Sequence, residues 1–145
     1  MKKVSDILDR RGKQMFAVPK KTLVIDALKI MAENNIGSVL VMEKGEFIGL
    51  VTERDYSRKV ILKGKSSSYT YVADIMSTDL PRVTPQHTIE QCMHLLAEHN
   101  IRYLPVFNNT LLEGVISIND IIKENILLQK ETIDQLHDYI DGKIR

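Results

Sequence analysis

At 145 residues the chain has the size of one typical domain, or of two small units sharing a core. An apolar fraction of 43% and a charged fraction of 27% exclude wholesale disorder, and a formal net charge of +1 argues against a dedicated nucleic-acid binder, which would carry a basic excess. The single cysteine, Cys92, excludes an internal disulfide and the paired spacings of zinc sites, and it fits a reducing compartment. Met1-Lys2-Lys3 opens like a signal peptide, but Asp6, Asp9, Arg10 and Arg11 follow where an apolar stretch would be needed. No apolar run approaches the roughly 18 residues of a membrane span. A cytoplasmic protein without membrane contact is expected.

The predicted elements begin with a short strand near Phe16–Val18. Val24, Ala27, Leu28 and Met31 then fall at i, i+3, i+4 and i+7, which predicts an amphipathic helix without a clear capping residue. A β-rich run over Ser38–Met42, turn residues Glu43-Lys44-Gly45 and a second apolar run ending at Val51 form a hairpin signature. Thr52 stands where that strand gives way to a helix. The polar stretch Lys63–Ser68 has the composition of a flexible linker. A short strand is predicted near Arg82–Val83. The next helix starts on a capping box, Thr88-x-x-Gln91, and carries Ile89, Cys92, Met93 and Leu96 on one face, which makes Cys92 a core thiol. Tyr103–Phe107, the turn Asn108-Asn109-Thr110 and a run ending at Ile116 repeat the hairpin, and Ser117 repeats Thr52. The segment from Ile118 to Ile140 lacks Gly and Pro and bears more apolar residues than one small core needs, which predicts a helix with a subunit interface.

These elements are two copies of one unit. Ala32-Glu33-Asn34-Asn35-Ile36 returns as Ala97-Glu98-His99-Asn100-Ile101, and Gly49–Asp55 returns as Gly114–Asp120, both at an offset of 65 residues that holds from Val18/Val83 onward. Val4-Ser5-Asp6-Ile7-Leu8 matches Val72-Ala73-Asp74-Ile75-Met76 at an offset of 68, so the first copy carries three extra residues around Arg10 to Phe16. The expected organisation is residues 1–68, the first copy with its linker, and 69–145, the second copy with a C-terminal helix. Each reads β-α-β-β-α, an α/β class. One copy alone would leave sheet edges and a face uncovered, so the two are expected to pack with pseudo-twofold symmetry.

The helix motif Asp26-Ala27-Leu28-x-x-Met31-Ala32-Glu33-x-x-Ile36, the strand Val39-Leu40-Val41 and the motif Gly49-Leu50-Val51-Thr52-Glu53-Arg54-Asp55 resemble the cystathionine β-synthase (CBS) domain family. So do Cys92–Ile101, Arg102-Tyr103-Leu104-Pro105-Val106 and Gly114–Asp120 in the second copy. The stretch Thr52–Val60 resembles stand-alone bacterial CBS-pair (Bateman) modules. The resemblance implies a regulatory module that binds AMP, ATP, NAD(H) or another adenosyl compound such as S-adenosylmethionine in clefts between the copies. It also implies a homodimer formed through helices, with signalling to an unidentified protein partner.

The chemistry of the repeated motif, Gly, two apolar residues, Thr or Ser, then Asp three positions on, fits such a ligand. Gly49 and Gly114 permit close backbone approach. Thr52 and Ser117 stand at helix starts, where free N–H groups favour phosphate. Asp55 and Asp120 offer two acceptor oxygens to a ribose diol, as acidic residues do in dinucleotide folds. The same spacing is also a plain capping box, and both readings stand. Arg54 aligns with Asn119, and Gly37 with Arg102, whose family equivalent reaches phosphate; two inequivalent sites are expected. Arg58 and Lys59 read as a solvated helix face. Val18, Ile36, Val83 and Ile101 stand at element junctions suited to an adenine slot or to core packing, and Tyr103 suits base stacking or an ordinary half-buried strand position. No catalytic constellation or metal site is expected. His94 and His99 miss the i, i+4 spacing of a helical metal pair, and the chain lacks a Gly-x-Ser-x-Gly elbow and a phosphate-binding glycine loop. The alternative function is a ligand-independent dimeric adaptor.

Overall fold

The computed structural model describes residues 1–12 and 15–140. Lys13 and Gln14, inside the insertion around Arg10 to Phe16, lie outside them, as do residues 141–145. The chain forms two compact units, Gln14–Leu80 and Met1–Lys13 with Pro81–Arg145. These units do not coincide with the sequence copies. The lead segment of each copy packs onto the body of the other.

In the unit Gln14–Leu80, β1 (Ala17–Val18), α2 (Val24–Asn34), β2 (Ser38–Glu43), β3 (Glu46–Thr52) and α3 (Glu53–Lys59) follow one another. The sheet order is β1-β2-β3, with β1 parallel and β3 antiparallel to β2. Val24, Ala27 and Met31 of α2 pack with Val39, Val41 and Val51 of the sheet. Val72 and Ile75, from a 3-10 turn at Val72–Asp74, complete this core.

The other unit holds α1 (Val4–Arg11), α4 (Ile89–His99), β4 (Tyr103–Asn108), β5 (Leu111–Ser117) and α5 (Ile118–Ile140). β4 and β5 pair antiparallel, and Val83 bridges Val106 in parallel where β1 stands in the first unit. Val4, Ile7 and Leu8 of α1 join Cys92, Leu96, Leu104, Val106, Ile116 and Ile121 in one core. Each such side chain contributes about 1.5–3 kcal/mol when fully buried.

The duplication holds at the level of backbone detail. Ser38 pairs with Thr52 and Tyr103 with Ser117, and the bulge after Val41 recurs after Val106. Both α2 and α4 end on an asparagine in the left-handed conformation, Asn35 and Asn100, each with φ 52° and ψ 48°. Asparagine tolerates this conformation better than other residues with a Cβ, and the next residue's N–H then reaches back to the helix: Ile36 to the Met31 carbonyl, Ile101 to the Leu96 carbonyl, both at 3.0 Å. The Lys44-Gly45 turn has positive φ at both positions, as a two-residue type I′ hairpin requires.

The helix starts are as expected, and the linker reading changes. The helix α4 begins on the Thr88/Gln91 box, but α2 begins on Leu23 with no side-chain cap. Its first N–H groups go instead to the Thr70 and Ser67 carbonyls, at 2.8 and 3.0 Å. The stretch read as a flexible linker is therefore tied down by the helix it caps, and the Thr70 hydroxyl, donating to the Ser66 carbonyl at 2.8 Å, holds it further.

Cys92 is fully buried in its core, and desolvation pushes its thiol from 9.0 up to about 11. Between those values the folded chain keeps a proton that the unfolded chain loses. The thiol's contribution is therefore intact below pH 9 and disappears as pH rises through 11, by roughly 3 kcal/mol. Alkylation at pH 8 is expected only in denaturant; rapid labelling of the native chain would contradict the burial.

Candidate functional site

Each copy of the motif sits where a hairpin strand passes directly into a helix, β3 into α3 and β5 into α5. The two helix starts are built alike. The Gly37 carbonyl accepts the Glu53 N–H at 3.1 Å, and the Arg102 carbonyl accepts the Ile118 N–H at 2.9 Å. The Thr52 hydroxyl accepts the Asp55 N–H at 3.0 Å, and the Ser117 hydroxyl accepts the Asp120 N–H at 3.1 Å. In return, one oxygen of each aspartate accepts the backbone N–H of Thr52 or Ser117, at 3.0 and 2.8 Å. The motif thus forms a complete capping box twice. Helix N–H groups that the sequence left for a phosphate are in large part used by the chain itself.

The two aspartates then diverge. Asp55 is only 7% exposed and its carboxylate is saturated. Its Oδ2 also accepts the Thr52 hydroxyl at 3.0 Å, while Oδ1 accepts the Ser77 hydroxyl and the Lys59 ammonium, each at 3.0 Å. Lys59, read from sequence as part of a solvated face, donates as well to the Ile75 carbonyl at 2.9 Å. Asp120 has a more exposed side chain, at 14%. Its Oδ2 accepts Ser117 N–H and the Arg11 guanidinium at 2.8 Å, and among the described residues Oδ1 has no partner.

Arg11 and Ser77 are functional neighbours that sequence reasoning missed, and they play equivalent parts. Ser77 pairs its backbone with Leu50 of β3, its N–H donating at 2.8 Å, and reaches Asp55 with its hydroxyl. In the other unit Arg11 does both with one guanidinium, donating to the Val115 carbonyl and to Asp120, each at 2.8 Å. The available signal was the 68-residue match of the lead segments, which places α1 and the Val72–Met76 stretch in equivalent roles. α1 runs on to Arg11, and its side chain covers what an extended backbone covers at Ser77.

The glycines show the same kinship. A Cβ on Gly49 would stand 2.6 Å from Met76 Sδ, whereas one on Gly114 would stand 3.4 Å from Leu8 Cδ2. Leu8 and Met76 are matched residues of the lead segments, so the close approach these glycines allow is taken by the protein's own side chains.

Of the apolar candidates, Val18 and Val83 are core residues. Val83 is fully buried, and its N–H and carbonyl pair with Pro105 and Phe107 at 3.0 and 2.8 Å. Ile36 and Ile101 are half-buried against the two cores, directly after the left-handed asparagines. Gly37 is half-buried, Arg102 and Asn119 are exposed, and Arg54 is half-buried with a partner within the chain. Tyr103 is half-buried at the start of β4 opposite Ser117 and also has a partner.

Beside Asp120, α1 and α5 are joined by charge. Glu124, fully covered, receives two hydrogen bonds from the Arg10 guanidinium, Nη1 to Oε2 and Nη2 to Oε1, and Lys2 lies 3.8 Å from it. The hydrogen bond to Glu124 holds Arg10 more firmly protonated than usual. α1 thereby fixes the first turns of α5, on which Asp120 stands. Among the described residues no group of three or more His, Cys, Asp or Glu side chains is placed to hold a metal ion, and no helix is long and apolar enough to cross a membrane.

The duplicated β-α-β-β-α body with its paired capping aspartates defines the class. The chain belongs to the CBS domain family, whose pattern matches residues 4–61 and 72–126. It is 34% identical over 96% of its length to the CBS domain-containing protein CBSX3, mitochondrial, of Arabidopsis thaliana, and spans 72% of that protein. A CBS-domain protein of known structure from Burkholderia ambifaria, described as a signal-transduction protein, is 41% identical, with a TM-score of 0.83 over 86% of this chain and 94% of that one. A hexameric CBS-CP12 protein from bloom-forming cyanobacteria is 28% identical, with a TM-score of 0.73 over 84% of this chain and 70% of that one.

Proposed function

We propose that this chain is a regulatory module that binds an adenine nucleotide, AMP, ATP or NAD(H), without catalysing a reaction on it, and passes the binding event to a protein partner. The observation that carries the reading is the inequality of the two aspartates. Among the described residues Asp120 keeps an acceptor oxygen without a partner, suited to a ribose hydroxyl, while Asp55 has none to spare. Ser117 and Asn119 flank Asp120 at the start of α5, and Arg102 follows α4 with a cation for phosphate. In this reading the Asp120 motif is the ribose-binding one and the Asp55 motif is a structural cap. The inequality of sites expected from Arg54 and Arg102 thus acquires a second cause. Membership of the CBS family supports the regulatory role.

The test is thermal unfolding with AMP, ATP, NAD(H) and S-adenosylmethionine, together with calorimetric titration. A ligand at about 100 times its Kd stabilises by about 2.7 kcal/mol. Asp120→Ala is expected to weaken binding at least tenfold. If none of the four compounds moves the melting temperature, the ligand-independent adaptor is the better description, and the two boxes serve as helix caps alone.

A further inference from the structure

The family match ends at residue 126, yet α5 continues to Ile140. From Ile126 onward its residues are exposed, Asp138 alone among those described being half-covered. A solvated helix of about 15 residues is marginal in water, since propagation barely repays the cost of nucleation. This one also carries a seam. Ile122, Ile126, Gln129, Ile133, Leu136 and Ile140 alternate at spacings of four and three, the a/d pattern of a coiled coil, and the five apolar members are all exposed, Ile126 by 56% and Leu136 by 57%. Leu127 and Leu128 fall off the seam and are more covered than its distal members.

We propose that the distal part of α5 pairs with the same segment of a second copy as a parallel, in-register two-stranded coiled coil. Three features commit the seam to that occupant. Beyond Ile122, which holds the first d position, isoleucine fills the a positions 126, 133 and 140 and leucine the one apolar d position, 136, a combination that favours two parallel strands. Gln129 is the single polar residue of the seam. In register, its amide meets its own copy and both amides find a partner; in any other register it faces Ile or Leu. Lys123 and Lys130 hold e positions, so an antiparallel pair would set ammonium against ammonium, whereas a parallel pair sets Lys130 against Asn125 at g.

The experiment is the molar mass of the full chain by light scattering, for wild type and Ile133→Asp/Leu136→Asp. The expected result is an even multiple of 16.6 kDa for wild type and half that mass for the variant. The body's melting transition should be unchanged, because both substituted residues are exposed and lie beyond the cores. Gln129→Cys, oxidised in dilute solution, is expected to cross-link to its own copy, with Cys92 remaining inaccessible inside its core. A monomeric wild type overturns the proposal. So does an unchanged mass in the double variant, and so does failure of Gln129→Cys to cross-link, which would point to an antiparallel pair or to a different protein as the occupant.

Discussion

Asp55→Ala is expected to lower the unfolding free energy by about 3 kcal/mol, against about 1 kcal/mol for Asp120→Ala, although the two residues occupy one motif position. Either substitution removes a helix cap, worth about 1 kcal/mol. Only at Asp55 do two further charge-assisted hydrogen bonds disappear, those donated by Ser77 and Lys59 to a carboxylate that is nearly out of solvent. Lys59 has a half-exposed side chain and regains water, which limits the cost. Arg11, the partner of Asp120, is likewise open to solvent and can rehydrate when the carboxylate goes. Urea unfolding of the two variants checks the difference. Equal losses would mean that Ser77 and Lys59 contribute nothing to the fold. The comparison also bears on the proposed function, in which Asp55 is a structural cap and Asp120 the ribose-binding residue.

Gly49→Ala is expected to destabilise by about 1–3 kcal/mol, while Gly114→Ala changes stability by no more than about 0.5 kcal/mol. At Gly49 the new methyl would stand 2.6 Å from Met76 Sδ and 2.8 Å from its Cγ, so the thioether chain must leave its place. At Gly114 the nearest atom, Leu8 Cδ2 at 3.4 Å, is at ordinary contact distance. The cause is tested by a double-mutant cycle. In a Met76→Ala background the Gly49→Ala penalty should fall by more than half, because the Sδ and Cγ contacts are gone and only the Cβ of residue 76, 3.2 Å away, remains. A penalty that persists would place the strain in the backbone of β3 instead.

Much of the local structure was written in the chain. The 65-residue repeat forecast both amphipathic helices and both hairpins; their common register and the helix ends at Asn35 and Asn100 came with the structure. These features depend on residues within a few positions of one another: apolar spacing, turn residues and side chains that reach the adjacent backbone. The capping boxes at Thr88, Thr52 and Ser117 were legible for the same reason, and so was the extent of α5, whose uninterrupted helix formers allow no earlier stop.

Tertiary structure decided what those motifs are free to do. Nothing near Asp55 in sequence announces that Ser77, 22 residues away, saturates it, nor does anything near Asp120 announce Arg11, 109 residues earlier. Likewise the stretch Lys63–Ser68 has the composition of a linker, and only its place against the uncapped start of α2 gives its carbonyls work. The sequence copies are contiguous, but the compact units exchange lead segments: Leu8 packs beside Gly114 and Met76 beside Gly49. Composition sets what a side chain can bond with. Which partner reaches it first, and whether an oxygen is left for a ligand, depends on groups far apart along the chain that no local pattern encodes.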